Sequence, residues 1–136
     1  MAEINWIAQL PDNRLLAELS LWSADLGQIA NEVARTEPYA DLWHIDACDA
    51  HFAPQLLIFP DIVSLLRRIS KRPIHVHLMI SDDILLDQIR QFAEVGADLI
   101  SVHVETKSSI LEEALAHIDS LGLKSGLAVT LKSPVE

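Results

Sequence analysis

Imidazoles and carboxylates recur in this chain at a spacing of two: His44-Ile-Asp46, His75-Val-His77 and Ser101-Val-His103-Val-Glu105. Residues two apart on a β-strand share a face, so each run would present its polar members together. His44, Asp46 and His77, converging from neighbouring strands, make a donor set suited to a divalent first-row cation such as Zn²⁺, Fe²⁺, Mn²⁺ or Co²⁺. The competing reading is a group of buried histidines that only satisfy one another and nearby backbone. His75 and His103 stay open between partners hydrogen-bonded behind the ligands and plain wall residues.

Other reactive residue types carry less. Cys48 reads as a small inward hydrophobe, since nothing near it marks a lowered thiol pKa. His51 falls in a loop and His117 on a helix surface. Asp82-Asp83 and Glu112-Glu113 sit in first helical turns, where carboxylates complement the macrodipole. No Gly-x-Gly-x-x-Gly or Walker-type loop occurs, so nucleotide binding has no support.

The elements that must position these residues are legible in the hydrophobic period. Apolar side chains recur at helical spacing in Leu26/Ile29/Ala30/Val33, Ile62/Leu65/Leu66/Ile69, Leu85/Leu86/Ile89/Phe92/Ala93 and Leu111/Ala114/Leu115/Ile118. Ser23 is expected to cap the first helix, Pro60 to open the second, Ser81 or Asp82 to cap the third, and Ser109 with Glu112 to box the fourth. Gly96 and Gly122 fall where left-handed C-terminal caps belong. Between the helices lie five strand candidates, 17–21, 42–47, 74–79, 99–104 and 125–130, which gives βαβ units and a parallel sheet. Residues 1–14 precede this pattern as an extension, with Trp6, Ile7 and Leu10 available to cover one end.

Face chemistry chooses between two parallel-sheet folds. Central strands of a doubly wound open sheet are apolar on both faces, because helices cover both. Here each strand has one aliphatic face (Trp43/Ile45/Ala47, Ile74/Val76/Leu78, Ile100/Val102/Val104, Leu127/Val129) and one polar or small face. That is the pattern of a TIM (β/α)8 barrel, whose inward residues build a site at the C-terminal rim. At roughly 27 residues per unit a closed barrel needs roughly 210–220 residues. The chain's 136 would therefore hold about the first five strands and four helices, with 15–136 as a partial barrel domain.

Composition limits the partners. Twenty acidic and ten basic residues give a net charge of -10, and half the residues are hydrophobic with 22% charged. Disorder and a basic nucleic-acid face are both excluded by these values. No apolar run approaches the ~18 residues of a membrane span, and the start of the chain lacks a signal-peptide pattern. A single cysteine excludes an intrachain disulfide. The expectation is a soluble cytoplasmic protein.

Several strings in order carry a resemblance: Ser20-Leu-Trp-Ser23-Ala-Asp25-Leu, His44-Ile-Asp46-Ala-Cys48-Asp49-Ala-His51-Phe-Ala-Pro54, Val76-His77-Leu-Met79, Gly96-Ala-Asp98 and Ser101-Val-His103-Val-Glu105. From about residue 17 onward the chain resembles the ribulose-phosphate 3-epimerase family. The resemblance implies an isomerase of pentose phosphate metabolism that epimerises a ketose phosphate at C3, of the ribulose 5-phosphate/xylulose 5-phosphate type, by proton transfer through an enediolate. It implies a divalent metal on His44, Asp46 and His77, Asp46 as one of two acid/base carboxylates, and Ser20, His77 and Met79 against the substrate. A homo-oligomer is expected as well.

The second carboxylate and the phosphate-gripping loops of the family come later than Thr130-Leu-Lys-Ser-Pro134-Val-Glu136, so this chain alone is expected to be inactive. Asp49 does not replace the missing group, because its odd offset from Asp46 turns it away. The net charge also fits phosphate binding poorly, as expected if that part lies elsewhere. Cys48, Ala50 and His75 stand where the family usually has Met, Gly and Asp. Ala50 puts the geometry of the loop after the second strand in question, since the glycine usual there can supply positive φ. The alternatives are a non-catalytic epimerase-like or partner-binding protein and, less in keeping with the polar inner faces, an open-sheet receiver-type domain.

Overall fold

The computed structural model describes residues 5–134. Its sheet comprises β1 (Glu18–Ser20), β2 (Leu42–Asp49), β3 (Leu56–Leu57), β4 (Ile74–Met79), β5 (Leu99–His103) and β6 (Lys124–Ala128). The helices are α1 (Ile29–Thr36), α2 (Pro60–Ile69), α3 (Leu85–Glu94) and α4 (Ser108–Ser120). The sheet order is β1-β2-β4-β5-β6 with every pairing on that path parallel, and only β3 deviates, folding back antiparallel onto the end of β2. Strand order follows chain order with no reversal, as in a barrel arc and unlike a doubly wound sheet.

One face of this arc holds the core. Trp43, Ile45, Ile74, Val76, Leu78, Ile100 and Val102 are buried in one cluster with Val33, Val63, Leu66, Ile89, Phe92, Ala114 and Ile118 from the four helices. The opposite face carries the histidines, and β4 alternates buried and half-buried residues along its whole length. The fold is thus a partial (β/α) barrel with helices outside and polar residues inside. On β6 the outward Leu127 stays 56% exposed, because no helix follows that strand among the described residues.

Several local expectations need correction. Asp25, not Ser23, caps the turn into α1, accepting the Gly27 N–H at 2.9 Å. Ile84 and Lys107 precede α3 and α4 without side-chain capping bonds, so neither Ser81/Asp82 nor Ser109/Glu112 caps its helix. Ser81 is instead drawn to Asp49, as described below. Pro60 does open α2, and Gly96 and Gly122 take φ of +106° and +77°. The question at Ala50 is answered by its φ of +63°: the loop keeps a left-handed backbone without glycine, at a cost an L side chain bears and glycine does not. Of the extension, residues 1–4 lie outside the described residues. Trp6 and Leu10 are half-buried near Arg72 and Pro73, while Ile7 stays exposed.

The extension is pinned by charge. Both guanidinium nitrogens of Arg14 donate to the buried Asp41 carboxylate at 2.7 Å, and Ala17 N–H adds a third bond at 2.8 Å. The Arg14 hydrogen bonds first, then that of Ala17, hold the Asp41 carboxyl at about 2 against an ordinary 3.8. A depressed carboxyl contributes stability above its unfolded pKa and loses it as pH falls through the folded value. Urea midpoints of the wild type and Asp41→Asn should therefore differ at pH 6 and converge as pH falls from about 4 to about 2. A gap that persists at pH 2 would assign the effect to packing.

Candidate functional site

Parallel register sets the polar residues in rows across the concave face. Ser20 pairs with His44 and His44 with His75, and Asp46 pairs with His77 and His77 with Ser101. Asp46 Oδ1 lies 3.1 Å from His44 Nε2 and 3.1 Å from His77 Nδ1. Its other oxygen, Oδ2, accepts the Ser20 hydroxyl at 3.2 Å. Met79 lies further up the same face, its sulfur 3.8 Å from Cys48 Sγ. His44, Asp46, His77 and Ser20 thus come together, with Met79 at the margin.

Two carboxylates back the histidines. Glu18 Oε1 lies 2.6 Å from His44 Nδ1 and 2.5 Å from His75 Nδ1. At the other end, His77 Nε2 meets His103 Nε2 at 2.8 Å, and His103 Nδ1 meets Glu105 Oε2 at 2.9 Å. Glu105 Oε1 is tied to the Thr130 N–H and hydroxyl, each at 2.8 Å, and to the Ser133 hydroxyl. Glu18 carries no role in the sequence reading, although its offset of two from Ser20 puts it on the same face.

In the neutral state of the rings these contacts assign the ring protons. A carboxylate only accepts, so with neutral imidazoles His44 Nδ1 donates to Glu18 and His103 Nδ1 donates to Glu105. His103 Nε2 must then accept, which makes His77 Nε2 a donor. The remaining atoms, His44 Nε2, His77 Nδ1 and Asp46 Oδ1, are all lone pairs and all face one another. With neutral rings, Asp46 Oδ1 has an acceptor nitrogen 3.1 Å away on each histidine, an arrangement that a positive charge would complete. Donors on one cation at about 2.1 Å and 90–110° stand about 3.0–3.4 Å apart, so each histidine nitrogen stands at a distance from Asp46 Oδ1 that suits a shared divalent ion.

Electrostatics separates the two histidines. The hydrogen bond to Glu18 raises His44 above its ordinary pKa, against the effect of burial. Burial lowers His77, assisted by the neighbouring His103. For Glu18, burial pushes upward, yet the bonds and charges of His44 and His75 outweigh it and bring the carboxyl to about 2. Burial, followed by the charges of Asp46 and Asp49, raises the Cys48 thiol, in keeping with an inert residue.

Asp49 faces away from the cluster and organises the loop after β2. It accepts the His51 and Phe52 N–H groups at 2.9 and 2.8 Å, the Ser81 N–H at 2.7 Å and the Ser81 hydroxyl. Burial would raise its carboxyl, but those bonds hold it well below the usual range. The loop so fixed sets the Phe52 ring 4.6 Å from that of His103, closing one side of the site. His117 lies half-buried on α4, away from this face.

A family model described as the Ribulose-phosphate 3 epimerase family matches residues 16–136. The chain belongs to the ribulose-phosphate 3-epimerase family. It is 38% identical over 119 residues to a ribulose-phosphate 3-epimerase of Synechocystis, covering 86% of this chain and 51% of the relative. The match to a Bacillus subtilis ribulose-phosphate 3-epimerase is also 38% identical over 119 residues, covering 86% and 53%. A chloroplastic ribulose-5-phosphate-3-epimerase of Arabidopsis thaliana is 32% identical over 123 residues, with 89% and 43% covered. The chain spans about half the length of the curated relatives it matches. Among solved structures, a mandelate oxidase variant with 2-hydroxy-phenylacetamide superposes with a TM-score of 0.55 at 14% identity, over 85% of this chain and 41% of that one. That likeness speaks to the fold alone. In this epimerase-family chain, no helix of the described residues is long and apolar enough to cross a membrane.

Proposed function

We propose that this chain supplies the first half of a cation-dependent ketose-phosphate 3-epimerase, of the ribulose 5-phosphate/xylulose 5-phosphate type, working in the cytoplasm. Residues 15–136 would be its partial barrel domain and 1–14 an extension, which the start of the family match at residue 16 supports. The observation that carries the reading is the convergence of His44 Nε2, Asp46 Oδ1 and His77 Nδ1, all within 4.8 Å of one another, on the concave face. Those residues would hold a divalent cation, which supplies positive charge for the oxyanion that forms when a carbon beside a carbonyl loses its proton.

Asp46 divides its work between its two oxygens. Oδ1 is committed to the histidines, while Oδ2, whose one hydrogen-bond partner among the described residues is the Ser20 hydroxyl at 3.2 Å, is free to take or return the C3 proton. Ser20, His77 and Met79 line the space where the ketose would lie, and the Ser20 hydroxyl can turn from Asp46 to a substrate oxygen. Inversion at C3 needs a second acid on the opposite face of the planar intermediate. The other carboxylates of the concave face among the described residues, Glu18 and Glu105, are held on histidines. The described residues therefore supply no second acid, which supports the reading that the chain alone turns over no ketose phosphate. The two sheet edges at β1 and β6, with apolar Leu127 and Val129 exposed, support self-association.

A fusion of residues 1–136 to the C-terminal half of the Bacillus subtilis relative tests this. The chain alone should bind one equivalent of Zn²⁺ or Co²⁺ and exchange no C3 proton of ribulose 5-phosphate in D₂O, whereas the fusion should incorporate deuterium at C3. A chain that binds no divalent cation, or a folded fusion that leaves C3 protonated, would overturn the reading.

A further inference from the structure

The roles above leave Glu18 unused, although it is the most heavily engaged side chain of β1. Its Oε1 meets His44 Nδ1 at 2.6 Å and His75 Nδ1 at 2.5 Å. The donor atoms of Glu18, His44 and His75 lie within 4.8 Å of one another and could be taken for a second cation site. Distance decides otherwise. Donors sharing a cation stand about 3.0–3.4 Å apart, the spacing of Asp46 from His44 and from His77, whereas 2.5 and 2.6 Å leave room only for a proton.

We infer that Glu18 is a positioning residue for the cation site, acting through His44. By accepting the Nδ1 proton it selects one tautomer and one ring rotation, so the Nε2 lone pair faces Asp46 and His77. A ligating imidazole whose far N–H is held by a carboxylate is also a stronger donor. His75 clamps Glu18 in turn: its Nδ1 donates to the carboxylate, and its Nε2 accepts the Ser101 hydroxyl at 2.9 Å. Without that clamp the carboxylate, on a three-residue edge strand with 36% of its side chain exposed, would be free to swing into water. Glu18 on β1 and His75 on β4 reach each other across β2, bracketing the row that holds His44. The consequence for affinity rests on the cation reading proposed above; the tautomer of His44 does not.

The test uses the full chain and two readouts. Zn²⁺ affinity, measured against a competing chelator, should fall about 10–100-fold in Glu18→Ala, less in Glu18→Gln, and by a smaller factor in His75→Ala, with thermal midpoints recorded for each. Long-range ¹H–¹⁵N NMR of the metal-free protein at pH 9 should show His44 as a single Nδ1–H tautomer in the wild type and as a mixture in Glu18→Ala. Equal affinity in Glu18→Ala and wild type, or an unchanged His44 tautomer, overturns the inference. If the wild type binds no cation, the proposed function fails, and the tautomer shift alone then decides the role of Glu18.

Discussion

Asp46→Asn should lower Zn²⁺ affinity of the chain by at least about 100-fold and reduce C3 proton exchange in the fused, whole-barrel protein by at least about 10³-fold. Both effects come from one side chain because its two oxygens face different ways. Oδ1 closes the acceptor triad with His44 and His77, and Oδ2 is the basic oxygen beside Ser20. An amide keeps the shape and loses the charge and the basicity together. Ser20→Ala should cost less, about 10–100-fold in exchange, because it removes one hydrogen bond, of about 1.5–3 kcal/mol where the acceptor is ionised. Misfolding is separable from chemistry here. At about pH 9, where the rings are neutral, the metal-free triad sets a carboxylate against two imidazole lone pairs, so removing its charge should leave the melting midpoint at that pH unchanged or raise it. Exchange retained in Asp46→Asn would sink the assignment of the base, and a lowered midpoint would sink the account of the triad.

The strongly periodic parts of the chain are legible in the sequence itself. Helices α2, α3 and α4 follow from apolar residues at i, i+3 and i+4, and β2, β4 and β5 from strict alternation, because both patterns report burial on one face. The convergence of His44, Asp46 and His77 follows from the same alternation once the strands are neighbours. What escaped is what local pattern does not encode. β3 is a two-residue return onto Cys48 and Asp49, too short for any period. The caps were misplaced because capping depends on where the backbone leaves helical φ and ψ, and Ser81 was drawn to Asp49, 32 residues away in sequence. Glu18 was hidden by its strand: three residues at a sheet edge show no alternation to read, and a glutamate followed by Leu19 looks like ordinary surface. Its meaning appears only when β4 brings His75 to the same oxygen. The alternation of β5 already sets Glu105 on the polar face, but its partners Thr130 and Ser133 lie beyond the next βα unit and leave no local signal.

The largest effect on stability should come from the residue next to His44 on the other face of β2. Trp43 is fully buried in the core, and its indole N–H donates to Ser70 Oγ at 2.9 Å. Ser70 in turn donates to Glu37 at 2.6 Å and accepts the Arg72 N–H at 3.1 Å, so one hydroxyl joins β2, the end of α1 and the turn into β4. Trp43→Ala removes a large buried side chain and should cost about 3–5 kcal/mol, a large part of the 5–15 kcal/mol typical of a domain. Trp43→Phe keeps most of the apolar volume and leaves Ser70 two partners, so it should cost clearly less. Urea unfolding at pH 7 reads both, and equal costs would mean that the hydrogen bond, not the buried volume, dominates. The same pair tests how the core holds the site. A strand slipped by one residue would send His44 and Asp46 to the helix side, and Trp43 is the bulkiest feature resisting that slip. Trp43→Phe should therefore retain Zn²⁺ affinity within a few-fold, while whatever fraction of Trp43→Ala remains folded should bind with scattered, weaker affinity. Unchanged, uniform binding in Trp43→Ala would show that the register of β2 is set by its neighbours β1 and β4 and not by the packing of its outer face.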